Sequence, residues 1–402
     1  MTPFKSFWMA GFECSDHVNA FGNRVNLLEA TGHLRKTEED YDLLQPLQIK
    51  TVREGICWSR VEQSPYRYDF SDVLTRLKCA EEKNIQIVWD LCHFGYPDDL
   101  TPLHPMFARR FTSMCCAFIS FYRTHYPDGN LIVTPVNEVS FISWLGGEVR
   151  GTSPYCTNQG WEVKYGLMKA YIEAVAAMKE MDQQIMILST EPLINIAPAD
   201  ESVEPELCRM KNEEQFQVLD MLTGRICPEL GGNESFLDVI GINYYANNQW
   251  TYPQQEFICW KTKDCERGWK PLHELITYVH DRYNRPFIIA ETSYPEDERP
   301  QWYEYMTVEM QDIVATGLPL LGVCIYPVID RPDWDYTDRW HHSGIWDVYD
   351  LNTLERRVHQ PTFEAILKMQ RTVMNDKQEK KHVTLHNSEQ KKTVGVRTII
   401  KF

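Results

Sequence analysis

The stretches Leu131-Ile-Val-Thr-Pro-Val-Asn-Glu138 and Phe287-Ile-Ile-Ala-Glu291 decide the fold. Each is a short apolar run that stops at a glutamate, and near-continuous runs of this kind suit parallel strands buried on both faces. The two glutamates lie 153 residues apart, three repeats of 51. Three strand-helix units of a large barrel would take that length. Six further runs, at residues 7–12, 49–58, 85–92, 185–189, 237–245 and 320–326, have the same character. Segments with helical spacing alternate with them at 38–47, 72–83, 107–122, 162–181, 213–222, 272–283, 302–315 and 363–374. Eight strands alternating with eight helices predict a (β/α)₈ TIM barrel. Glu138 then ends the fourth strand and Glu291 the seventh, facing each other across the mouth.

The other strand ends carry Glu13, Arg53 with Trp58, Asp90 with His93, Glu191, Asn243-Tyr244-Tyr245 and Asp330. A TIM barrel builds its active site at these C-terminal ends. Taken singly, Asp90 and Glu191 read as ordinary wet strand ends; the whole set does not. Two carboxylates across a pocket suit glycosidic cleavage, one protonated to assist the leaving oxygen and the other ionised to attack or to activate water. Trp58 and Trp89 read as barrel core.

These stretches resemble the family 1 glycoside hydrolases of the β-glucosidase type, within the larger clan of (β/α)₈ retaining glycosidases, over about residues 7–370. Arg53-Glu-Gly-Ile-Cys-Trp58-Ser-Arg60 is similar to the family's second-strand pattern, and Asp90-Leu-Cys-His93 to its third-strand histidine. Thr134-Pro-Val-Asn137-Glu138 resembles the acid/base motif and Asp238-Val-Ile-Gly-Ile-Asn-Tyr-Tyr245 the sixth-strand signature. Asp330-Arg-Pro-Asp333-Trp334 is similar to the sugar-binding loop, with Gly344-Ile-Trp-Asp347 after it.

The resemblance implies a retaining hydrolase of β-glycosidic bonds in a small glycoside or oligosaccharide, working by double displacement without a cofactor. Glu291 is then the nucleophile, Glu138 the acid/base, and Arg53 and Tyr245 the partners of Glu291. Asn137 would bind the 2-hydroxyl, Glu13, His93 and Asp333 the other hydroxyls, and Trp334 would stack under the ring. Plainer readings stand beside these: Arg53 paired with Glu54, His93 as a core histidine, Trp334 and Trp340 as loop packing. The sequence departs from the family pattern at Val139, where proline is usual, and at Thr292-Ser293, where asparagine-glycine is usual. Asp333 replaces the usual glutamate, and the chain is shorter than typical members. Two other functions remain open: a transglycosylase using the same intermediate, and a barrel that binds carbohydrate without turnover.

Composition narrows the partners. The 402 residues carry a formal net charge of −16, which disfavours nucleic acid and anionic membrane as partners. No run of 18 apolar residues occurs, so neither a membrane span nor a signal peptide is expected. Twelve cysteines without a CxxC pair fit a reducing cytoplasm. His341-His342 with Asp335 and Asp338 invites a metal site, but adjacent residues on a strand point opposite ways and no catalytic metal is expected. Oligomeric state is not legible. One domain is expected over 1–375, followed at 376–402 by a tail with seven basic and three acidic residues, loosely docked and ending in a short strand.

Overall fold

A computed structural model describes residues 2–263 and 265–396. Eight parallel strands close into a barrel. They are β1 (Trp8–Gly11), β2 (Thr51–Gly55), β3 (Gln86–Asp90), β4 (Ile132–Thr134), β5 (Met186–Pro192), β6 (Val239–Asn243), β7 (Phe287–Glu291) and β8 (Leu320–Ile325). Each pairs with its sequence neighbour, and β1 closes the ring by pairing with both β2 and β8. The crossovers carry α1 (His33–Asp42), α2 (Ser71–Glu82), α3 (Phe107–His125), α4 (Gly160–Met181), α5 (Gln217–Leu222), α6 (Leu272–Tyr283) and α7 (Arg299–Thr316), and α8 (Gln360–Val396) packs against α7. All eight predicted barrel strands and all eight predicted helices are present; most predicted strands overrun the ladder by one to three residues at an end, while β5 runs on to Pro192, past its predicted end at 189.

Pleat parity sorts the core into two layers. Met9, Val88, Ile132, Leu188, Val239, Ile288, Ala290 and Cys324 fill the barrel interior. Their neighbours Trp8, Ala10, Trp89, Val133, Ile187, Ile240, Ile289 and Val323 face the helices. Side chains alternate in this way because successive residues of a strand point to opposite faces. Trp58 and Trp89 are core as expected, Trp58 against Phe107 and Phe111 and Trp89 against Phe118.

The same parity separates Arg53 from Glu54, so the pairing of these two does not form. Glu54 points outward, where it accepts from Tyr41 at 2.5 Å and from Arg76 at 2.5 Å and meets His33 Nε2 at 2.9 Å. This one carboxylate ties α1 and α2 to β2. Burial pushes its pKa up, but His33 and Arg76 outweigh burial and hold it at about 2. A carboxylate held below its unfolded value contributes stability that is present above the ordinary carboxylate range and lost as pH falls. Glu54→Gln is therefore expected to cost about 3–5 kcal/mol at pH 7. It should also flatten the fall in Tm between about pH 4.5 and 2; an unchanged Tm profile in calorimetry would refute the assignment.

The last helix runs through residue 376 to Val396. The expected terminal strand at 394–402 thus begins in helix, and residues 397–402 lie outside the described chain. All twelve cysteines are unpaired. Among the described residues no helix is long and apolar enough to cross a membrane.

Candidate active site

Arg53, from the interior face of β2, is the centre of the site and is fully buried. Its Nη1 donates to Glu291 Oε1 at 3.0 Å and to the Ala290 carbonyl at 2.9 Å. Its Nη2 donates to Asp90 Oδ2 at 2.6 Å and to Asn137 Oδ1 at 3.1 Å. A guanidinium suits this task because its fork of donors reaches several acceptors at fixed geometry. Burial alone would push Asp90 up; the Arg53 charge and the bond to His93 outweigh it and keep the carboxyl below its ordinary range.

Room for this arrangement comes from Gly11, where a Cβ would lie 1.9 Å from the Tyr326 ring. Tyr326 packs there with its centroid 5.2 Å from the Arg53 guanidinium and nearly parallel to His93 at 5.8 Å. It lies just past β8 and forms part of the floor. Nothing in the sequence marked Tyr326, because its partners come from strands 1, 2 and 3.

Glu291, 4% exposed, also accepts from the Tyr245 hydroxyl at 2.8 Å through Oε2. Burial and the nearby Glu291 charge push the Tyr245 phenol well above its ordinary pKa, so it remains a donor. The residue after the glutamate is anchored too: the Thr292 hydroxyl accepts from the Trp302 indole at 2.9 Å.

Glu138 follows β4 in a left-handed conformation, φ 45° and ψ 58°. Its Oε1 accepts from Asn243 Nδ2 at 2.9 Å. Burial, then the charge of Glu291, pushes its pKa well above the ordinary carboxylate value, against the smaller pull of Asn243. The two glutamates therefore have opposite environments, one held by a cation and a phenol and the other buried beside a like charge.

Asn137 Oδ1 takes a second bond from Thr190 at 2.8 Å, while its Nδ2 meets His93 Nε2 at 3.2 Å. His93 Nδ1 lies 3.0 Å from Asp90 Oδ2 and 3.2 Å from Cys14 Sγ, and Nε2 is 3.9 Å from Glu13 Oε1. Glu13 also lies 3.5 Å from Arg331. Arg53, Asp90, His93, Asn137, Tyr245 and Glu291 thus form one connected network, with Glu13 at its edge.

Asp333 stands outside that network. Its Oδ1 accepts the backbone N–H groups of Asp335 and Tyr336 at 2.9 Å, and Oδ2 meets His341 at 2.8 Å. Trp334 packs 4.3 Å from the His17 ring and 5.4 Å from Phe94. The adjacent histidines contact different aspartates, His342 reaching Asp330 at 2.5 Å. Asp330 also takes the backbone N–H groups of Gly344 and Val348, so the Gly344-Asp347 stretch fastens the loop. Among the described residues, Asn243 Oδ1, on the side chain that donates to Glu138, and Trp334 Nε1 are buried without a hydrogen-bond partner.

No protein-family model and no curated protein matches the sequence. Solved structures do match the fold. The family 1 β-glucosidase from Thermotoga maritima superposes with a TM-score of 0.69 at 17% identity, over 86% of this chain and 87% of that one. The β-glucosidase from Thermotoga maritima in complex with methoxycarbonyl-substituted glucoimidazole gives 0.71 at 16% identity, over 92% and 98%. Its complex with castanospermine gives 0.70 at 16%, over 92% and 97%. The fold of this chain is the (β/α)₈ barrel of the family 1 β-glucosidases.

Proposed function

We propose that the chain is a retaining glycoside hydrolase acting on β-glycosidic bonds of a small glycoside. The observation that carries this reading is the contrast between two carboxylates: Glu291 held by Arg53 and Tyr245, and Glu138 buried with a raised pKa. A buried carboxyl with a raised pKa is suited to the acid, and a carboxylate held by a cation and a phenol to the nucleophile. Glu291 attacks the anomeric carbon, forming an ester as the glycosidic C–O bond breaks. Glu138 gives its proton to the departing oxygen. Esterification removes the Glu291 charge and lowers the Glu138 pKa, so Glu138 then takes a proton from the water that cleaves the ester.

Asn137, fixed by Arg53 and Thr190, serves the 2-hydroxyl, where a hydrogen bond strengthens in the transition state. His93, Glu13 and Asp333 serve other hydroxyls, Asp333 after exchanging part of its loop bonding, and Trp334 offers its ring face. The buried unpartnered atoms of Asn243 and Trp334 are groups a polyhydroxylated ligand would satisfy. The glucoimidazole and castanospermine complexes of the Thermotoga maritima enzyme support a glucose-like ligand. We place the protein in a reducing cytoplasm, with its catalytic domain at residues 1–375 and with no cofactor.

A panel of aryl glycosides differing in glycon and anomeric configuration tests this. At least one β-glycoside is expected to be cleaved, with first-formed product of the β configuration by proton NMR and with turnover unchanged by EDTA. Inversion, or a carboxyl separation above about 6.5 Å rather than about 5–5.5 Å, would refute the retaining mechanism. Binding without cleavage across the panel would refute the enzyme.

A further inference from the structure

Glu191, the sixth residue of β5, faces the segment that follows Glu138. Ser140 N lies 3.2 Å from its Oε2 and 3.4 Å from its Oε1, so both carboxylate oxygens share the Ser140 N–H. We propose that Glu191 is the positioning residue for Glu138: by accepting the Ser140 N–H it leaves the Glu138 side chain free for substrate. This rests on the glycosidase reading above.

The need for such a residue follows from where Glu138 sits. It immediately precedes a helical turn, Val139–Ser143, whose first N–H groups have no partner within the turn. A side-chain oxygen in that place can fold back to accept one of them, as Ser, Thr, Asp and Asn commonly do. Such a bond would pull the Glu138 carboxyl off the barrel axis, and it is not made. The carboxyl instead meets Asn243.

Glu191 can take over because of its parity on β5. Leu188 points into the barrel and Ile187 toward the helices; Glu191 shares the outer face with Ile187. It is 7% exposed, away from the sugar-facing interior. Burial pushes its pKa up to about 7 against the pull of Ser140 and of Lys164 on α4. The charged and titratable groups near it are Lys164 and Tyr171 on α4, and Glu138 itself. Lys164 is fixed by a 2.7 Å bond to Gln217 on α5.

The test compares an alkyl and a 2,4-dinitrophenyl glycoside of one glycon cleaved in the panel. Departure of an alkoxide needs a well-placed acid, whereas dinitrophenolate leaves without one. Glu191→Ala is expected to lower kcat/KM for the alkyl glycoside by about 10–100-fold and to leave the dinitrophenyl value within about twofold. Glu191→Gln keeps one acceptor oxygen and should show the same selectivity at about 2–10-fold, which carries the test if the alanine variant does not fold. An active wild type whose variants lose both substrates alike, or neither, overturns the inference alone. A wild type inactive on both glycosides overturns the glycosidase reading and this inference with it.

Discussion

Glu291→Gln is expected to fold and to lose turnover by a factor on the order of 10⁴–10⁶. The amide keeps an acceptor for Arg53 or Tyr245, which meet Glu291 at 3.0 and 2.8 Å, but it cannot form the glycosyl ester. Folding survives because Arg53 is not left alone: Asp90 and Asn137 still accept from it. Circular dichroism and Tm should therefore stay close to wild type while kcat collapses on every substrate of the panel, whatever the leaving group. That independence of leaving group separates loss of the nucleophile from loss of the acid. A folded Glu291→Gln variant that retains wild-type kcat would rule out the covalent intermediate at this position.

The barrel was legible because its signal is local. An apolar run followed by a helical repeat reports on itself, and eight such units in order leave little choice of architecture. The site was legible only in part, since a strand-end residue can be recognised while its partners cannot. Arg53 illustrates this: Glu54 is its neighbour in sequence, yet parity puts Glu54 with His33, Tyr41 and Arg76 on the helix side, and Asp90 becomes the partner from the next strand. Parity was available from the sequence and would have excluded Glu54. Nothing local, by contrast, announces that Gly11 makes space for Tyr326 across the closure of the barrel. Glu191 is a third kind of case, an unremarkable strand-end residue whose importance depends on the Ser140 N–H, which belongs to the turn after another strand. Asp333 shows that a motif can be present while its side chain is engaged elsewhere, here by His341 and its own turn.

Glu138→Ala should separate the two half-reactions. For an alkyl glycoside the loss in kcat/KM is expected to be about 10²–10⁴-fold, the usual worth of general acid catalysis. For a dinitrophenyl glycoside kcat/KM should barely change, while kcat falls because no base remains to activate water against the ester. Sodium azide, which needs no base, should then raise kcat and yield a glycosyl azide of retained configuration. The pH profile supplies an independent check. Burial and the Glu291 charge raise the wild-type carboxyl pKa, so alkyl-glycoside activity should persist above the ordinary carboxylate range and fall as pH rises through the raised pKa. That alkaline limb should vanish from the residual alkyl-glycoside profile of Glu138→Ala. The stability term has the matching sign: a folded pKa above the unfolded one favours the fold below the ordinary carboxylate range, and the benefit is lost as pH rises through the folded value. Glu138→Gln, neutral at every pH, should remove that loss and so raise Tm relative to wild type on the alkaline side. An alkaline limb that survives unchanged in the alanine variant, together with no azide effect, would assign the acid to another residue.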